Sequence, residues 1–143
     1  MAVISTLSNH FKKQLAAGAI NFTSDTVKIA LMSGEFAFDK DAHATWANVS
    51  ASELGNGNGY TTGGQVLVAP SFTEDDVNDR GEVTWGVNPK WNATGELKEF
   101  GAAVVFDDTS SDDTVVGCID FGTTVALEDG TFVTITAVTV RLS

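Results

Sequence analysis

The stretch "DTVKIALMS" at residues 25–33 decides the fold class. Val27, Ile29 and Leu31 alternate with Lys28, Ala30 and Met32, the period of two that marks a half-buried strand. From here on the chain reads mostly as β. Further strands are expected at 64–69, 82–85, 97–106, 114–121 and 131–142, separated by Asp79-Arg80-Gly81, the polar run 107–113 and Glu128-Asp129-Gly130. Asp129-Gly130 is the best hairpin signal and predicts that a strand over 121–127 folds back onto the last one. Within that last strand Val133 and Ile135 lie on one parity, and Val138, Val140 and Leu142 on the other. Either both its faces are covered, or a bulge near Ala137 shifts the register. The strand runs to the end of the sequence, which predicts a C-terminus tied into a sheet.

Upstream, the spacing predicts one helix over 5–17. Ser5 or Thr6 caps its start, Leu7, Phe11 and Leu15 form a narrow apolar stripe, and Gly18 stands where a left-handed cap belongs. Over 41–53, Asp41 is expected to cap a short helix carrying Ala42, Trp46 and Val49. One N-terminal helix and about six strands without βαβ alternation predict a mainly β chain. The expected architecture is an antiparallel β-sandwich or small barrel with a short N-terminal helix, forming one domain over 1–143.

The stretch "GNGNGYTTGGQVL" at 55–67 resembles a phosphate-cradling loop only superficially. No Lys and Ser/Thr follow its last glycine, and the chain enters a strand there, not a helix. The glycines predict a backbone that turns sharply through positive φ, with Tyr60 as an amphipathic anchor between the turns.

The 143 residues include 43% hydrophobic ones and nine Phe, enough for one core. Eight Lys and Arg against nineteen Asp and Glu leave a net charge of −11, which repels nucleic acid phosphates and anionic membranes. Neither is an expected partner. The acidity suits solubility, a basic partner or a non-adhesive outer surface. The single cysteine, Cys118, lies in the apolar run "VVGCIDF" and is expected to be a small buried hydrophobe. No secretion signal and no long apolar run stand in the sequence, so cytosolic synthesis is expected, with exit by lysis or on a particle.

No constellation of catalytic residues emerges. His10 and His43 lack a nucleophile context, and the acidic groups at 74–79 and 107–113 sit in turns beside Ser, Thr or Gly. Counted as a calcium loop from Asp76, the twelfth position is Val87 where glutamate is needed. No catalytic residue, cofactor or metal ligand is therefore assigned, and no enzyme activity is expected. Trp85 alternates with Val83 and should be core. Trp91, set between Asn88-Pro89-Lys90 and Asn92, is expected to be exposed, and exposed aromatics mark protein contacts.

Three ordered blocks carry a resemblance: "HFKKQLAAGAINFTSDTVKIALM" (10–32), "GNGYTTGGQVL" (57–67) and "FGAAVVFDDTSSDDTVVGCIDFG" (100–122). They resemble a family of small tailed-bacteriophage virion proteins with an N-terminal helix, a "TDTIKVAL"-like strand, a "GYTxGGxxL" turn, and "AVIYDDT" and "GYIDFG" strands. The likeness thins over 33–54 and 68–96. Cys118 stands where the pattern often has an aromatic, and Phe106 replaces a tyrosine. The resemblance implies a capsid decoration or cement protein on the virion surface, made in the host bacterial cytoplasm. It further implies binding to the major capsid protein, commonly as a homo-trimer. Phe11, Trp46 and Trp91 are the expected partner-binding residues. The alternative is a tail or tail-tip protein that contacts a host-surface glycan through Trp91.

Overall fold

Val27–Ser33 (β3) forms as expected, but it is buried on both faces and not on one. Val27, Ile29 and Leu31 point into the main core, while Ala30 and Met32 point the other way, into a second apolar cluster with Val49, Val104, Phe106, Val115 and Cys118. Phe36, Phe38 and Trp46 pack over that second cluster. Alternation in the sequence reports which side chains share a face, and only the path of 34–53 decides that the outer face is roofed.

This architecture comes from a computed structural model that describes all residues, Met1–Ser143. The chain is mainly β, with 46% strand and 10% helix. Its other elements are Ala2–Val3 (β1), Thr6–Leu7 (β2), helix Asn9–Ala16 (α1), helix Trp46–Val49 (α2), Gln65–Leu67 (β4), Pro70–Asp75 (β5), Arg80–Trp85 (β6), Lys90–Asn92 (β7), Leu97–Asp107 (β8), Val115–Leu127 (β9), Phe132–Thr134 (β10) and Val138–Leu142 (β11). One sheet has the order β2-β9-β8-β3-β4, a second β1-β11-β6-β5, and β10 with β7 makes a two-stranded ribbon. All pairs are antiparallel except β1 with β11. The main core draws on residues from Ile4 to Val140.

The chain laces the two large sheets together at both margins. At one, the N-terminal segment pairs first with β11 and then with β9; at the other, Ala69, at φ +60°, turns the chain from β4 into β5. The N-terminal helix is shorter than predicted because Thr6 and Leu7 are claimed by the edge of β9. Ser8 is the real cap, its Oγ accepting the Phe11 N–H at 3.1 Å, and Gly18 ends the helix at φ +77° as expected. Thr45, and not Asp41, precedes α2, and the Asn48 side chain folds back to accept its N–H.

The predicted hairpin at Asp129-Gly130 does not form. Gly130 turns the chain, but Gly130 N–H donates to Ala93 O, Ala93 N–H to Thr131 O, and Gly95 N–H to Asp129 Oδ1. Those bonds deliver β10 to β7 and away from β9. The expected last strand is in fact two, broken at Ala137 (φ +49°), with β11 in the sheet beside β6. That break explains the change of parity. The C-terminal segment is tied into a sheet as anticipated.

Candidate interaction surface

Two of the three expected contact residues are not at the surface. Phe11 is fully buried, stacked on Phe22 with ring centroids 5.7 Å apart, and Phe22 meets Trp85 edge-on at 5.3 Å. It anchors α1 to the core. Trp91 is 2% exposed, because its pairing with Val133 turns the ring inward beside Tyr60. Its indole N–H finds no acceptor there. The assignment of Phe11 and Trp91 as surface contacts is thus overturned. Asn-Pro-Lys chemistry before Trp91 signals a turn, but says nothing about the layer beneath it. Trp46 is half-buried, its ring stacked on Phe106 at 4.2 Å and 14°, so it acts first as a lid on the outer cluster.

The apolar side chains that do remain open lie elsewhere. Val66, Val68, Phe72, Val87 and Phe132 are each between 43% and 58% exposed. They belong to segments that hydrogen bonds join around the β4–β5 turn: Gly86 N–H donates to Ala69 O, and the Gln65 side chain bonds the Lys90 backbone. Lys90 Nζ sits 4.1 Å over the Phe132 ring, a cation–π contact. Phe72 is the most informative of the set. It pairs with Val83, which pairs with Val140, and both of these are buried core residues. Register therefore puts Phe72 on the core-facing side of its sheet, yet this chain leaves it 53% exposed.

Acidic groups border this margin. The hairpin joining β5 to β6 carries Glu74, Asp75, Asp76 and Asp79, with Arg80 paired to Asp75 at 2.9 Å. The Asn78 side chain, then its backbone N–H and Arg80, hold Asp75 below the usual carboxylate range despite some desolvation. The sequence hid the site because β5, "PSFTED", has no alternating pattern. Its only signal is a lone Phe in a polar run.

Two clefts are lined by other residues. One, of about 350 Å³, is apolar and lies between β9 and the β10–β11 junction, lined by Phe100, Ile119, Phe121, Val125, Val133 and Ile135. The other, about 590 Å³, is lined by Glu35, Glu53, Glu96 and Glu99, with Lys98 as its only cation. No three His, Cys, Asp or Glu side chains gather in a geometry that would hold a metal ion. Cys118 is buried, and burial, with the nearby Asp120 charge, pushes its thiol up to about 12, so it is not a nucleophile. His10 pairs with Asp112 at 2.7 Å. Desolvation raises Asp112, but hydrogen bonds from Thr114 and His10 outweigh it and hold the carboxyl low. His43 stacks on Phe36 and accepts the Asp39 N–H through Nδ1, which fixes the roof of the outer cluster. No helix is long and apolar enough to cross a membrane.

No protein-family model, curated protein or solved structure matches the chain.

Proposed function

We propose that this chain is a capsid decoration protein of a tailed bacteriophage, which binds the outer surface of the major capsid protein lattice and stabilises the head. The observation that carries the reading is Phe72, a core-facing aromatic on an edge strand that its own chain does not cover. A free sheet edge with an uncovered aromatic, and with Val68 and Val87 exposed beyond the Pro70 end of the same strand, is suited to a second protein surface. The acidic hairpin beside it calls for a basic rim on that surface. The resemblance of the three sequence blocks supplies the virion context, and with it a homo-trimer as the assembly on the head. The tail-tip alternative loses its main support, since the buried Trp91 offers no face for a sugar to stack on.

Burying the open half of Phe72 removes roughly 100 Å² of apolar surface from water, worth about 2.5 kcal/mol per site. Over the many equivalent sites of a head, that energy is repeated at each one. The test is to quantify the chain against the major capsid protein on separated heads and tails. Binding of purified Phe72→Asp protein to heads lacking it is then measured by co-sedimentation. Hundreds of copies on heads and a binding loss of more than tenfold by a variant that remains folded by circular dichroism are expected. A few copies confined to tails, or undiminished binding by the variant, would overturn the proposal.

A further inference from the structure

Asp107 ends β8 and is fully buried. Its Oδ1 accepts two N–H groups, from Thr109 at 2.9 Å and Ser110 at 3.0 Å, and so closes the turn that follows the strand. Its Oδ2 is buried with no donor from any other residue. Register sets the 21–26 turn against this carboxyl, since Val27 pairs with Asp107 and the Asp108 N–H donates to Thr26 O, and the acid on that turn is Asp25, held by the Asn21 N–H at 2.9 Å. Two ionised carboxylates cannot bond each other, and a desolvated carboxylate oxygen without a donor is strongly disfavoured. One proton between them removes both penalties.

We propose that Asp25 and Asp107 share a single proton, and that this proton latches the 21–26 turn onto the 107–114 loop. The surrounding bonds converge on the same joint: Asp108 N–H donates to Thr26 O, and Thr26 N–H to Thr109 Oγ1 at 2.7 Å. No free cation faces the pair. Lys28 of β3 is 3.2 Å from Asp108, and His10 of α1 is engaged by Asp112. Asp113 lies in the same loop and adds only negative charge. Neither Asp25 nor Asp107 lines any cleft of the molecule.

Desolvation first, then the contact with Asp25, raise the Asp107 carboxyl to about 7. A raised acid is protonated in the folded state while the unfolded chain has already lost that proton. The latch is therefore fully present below the unfolded value of 3.8 and is lost as pH rises through about 7. At most one proton is involved, so the unfolding equilibrium constant should rise by up to about tenfold per pH unit between these values.

The test is the carboxyl ¹³C titration of the full chain by NMR, together with urea midpoints from pH 5 to 9. Wild-type protein should show one carboxyl titrating near neutrality and a midpoint that falls with pH up to that value. In Asp107→Asn the amide can donate to Asp25 while its oxygen keeps the two N–H bonds, so the midpoint should become flat. In Asp25→Asn the new amide can donate to Asp107, whose titration should move down by a unit or more. An Asp107 carboxyl that titrates below pH 5 in wild-type protein would overturn the shared proton. So would a rise in Tm with millimolar Ca²⁺ that abolishes the pH dependence, since a cation would then hold the pair.

Discussion

Removing one hydroxyl, in Tyr60→Phe, should cost far more than a surface hydrogen bond. β4 pairs with β3 only over Val27–Ile29, so the outer edge of β3 beyond Ile29 has no strand partner. Tyr60 serves in its place. Its hydroxyl accepts the Leu31 N–H at 3.1 Å and donates to Glu53 Oε2 at 2.7 Å, while Leu31 O accepts the Leu54 N–H at 3.0 Å. The same Glu53 oxygen accepts the Gly63 N–H at 2.7 Å, so one carboxylate ties the glycine-rich turn to the strand. Phenylalanine keeps the ring and leaves a buried N–H without an acceptor, at about 1–3 kcal/mol, and it also removes a charge-assisted bond. A total of about 2–4 kcal/mol is expected, and a Tm lowered by roughly 5–12 °C for a chain of this size. Urea unfolding followed by tryptophan fluorescence, with calorimetry alongside, measures it. Glu53→Gln keeps an acceptor for the hydroxyl and should cost less, and the double variant should be less than additive. A loss below about 0.5 kcal/mol with an unchanged m-value would refute the reasoning, because it would mean that the Leu31 N–H is satisfied without Tyr60.

Burial first, then the Glu53 hydrogen bond, raise the Tyr60 phenol above its ordinary 10.0. Stability should thus hold below that value and fall with rising pH above it, and an alkaline melting series in which Tyr60→Phe shows the same slope would contradict this. Gly64→Ala should destabilise by more than about 3 kcal/mol, because at φ +74° a Cβ would stand 1.9 Å from Ile29 O, a backbone atom of the central strand. Near-normal urea midpoints for that variant would exclude so close an approach. Trp46→Ala should lose about 2 kcal/mol through its stack on Phe106 yet remain folded, since the ring lies over the outer cluster and is only partly buried. An unchanged Tm would instead mean that Trp46 is free for a partner.

Short-range chemistry was legible in the sequence. Alternation over 25–33 places the central strand, Gly18 places the helix end, and the glycine-rich turn is the positive-φ bend anchored by Tyr60 that its composition predicts. These features depend on backbone sterics and on neighbours a few residues away, which the sequence contains. Partners distant in the chain were not legible. A period of two says that Ala30 and Met32 share a face, but not that 34–53 roofs it. The turn at Asp129-Gly130 is real, but its direction is set by the Ala93 and Gly95 backbone some 35 residues earlier. Phe11 and Trp91 are apolar in either reading, and only the layers packed against them decide that they are core. Phe72 has the opposite fate for the same reason: its register faces inward, and nothing in the chain reaches far enough to cover it. Local propensity fixes which segments extend or turn, while burial is a property of what two distant segments enclose, and that is decided only when the sheets close on each other.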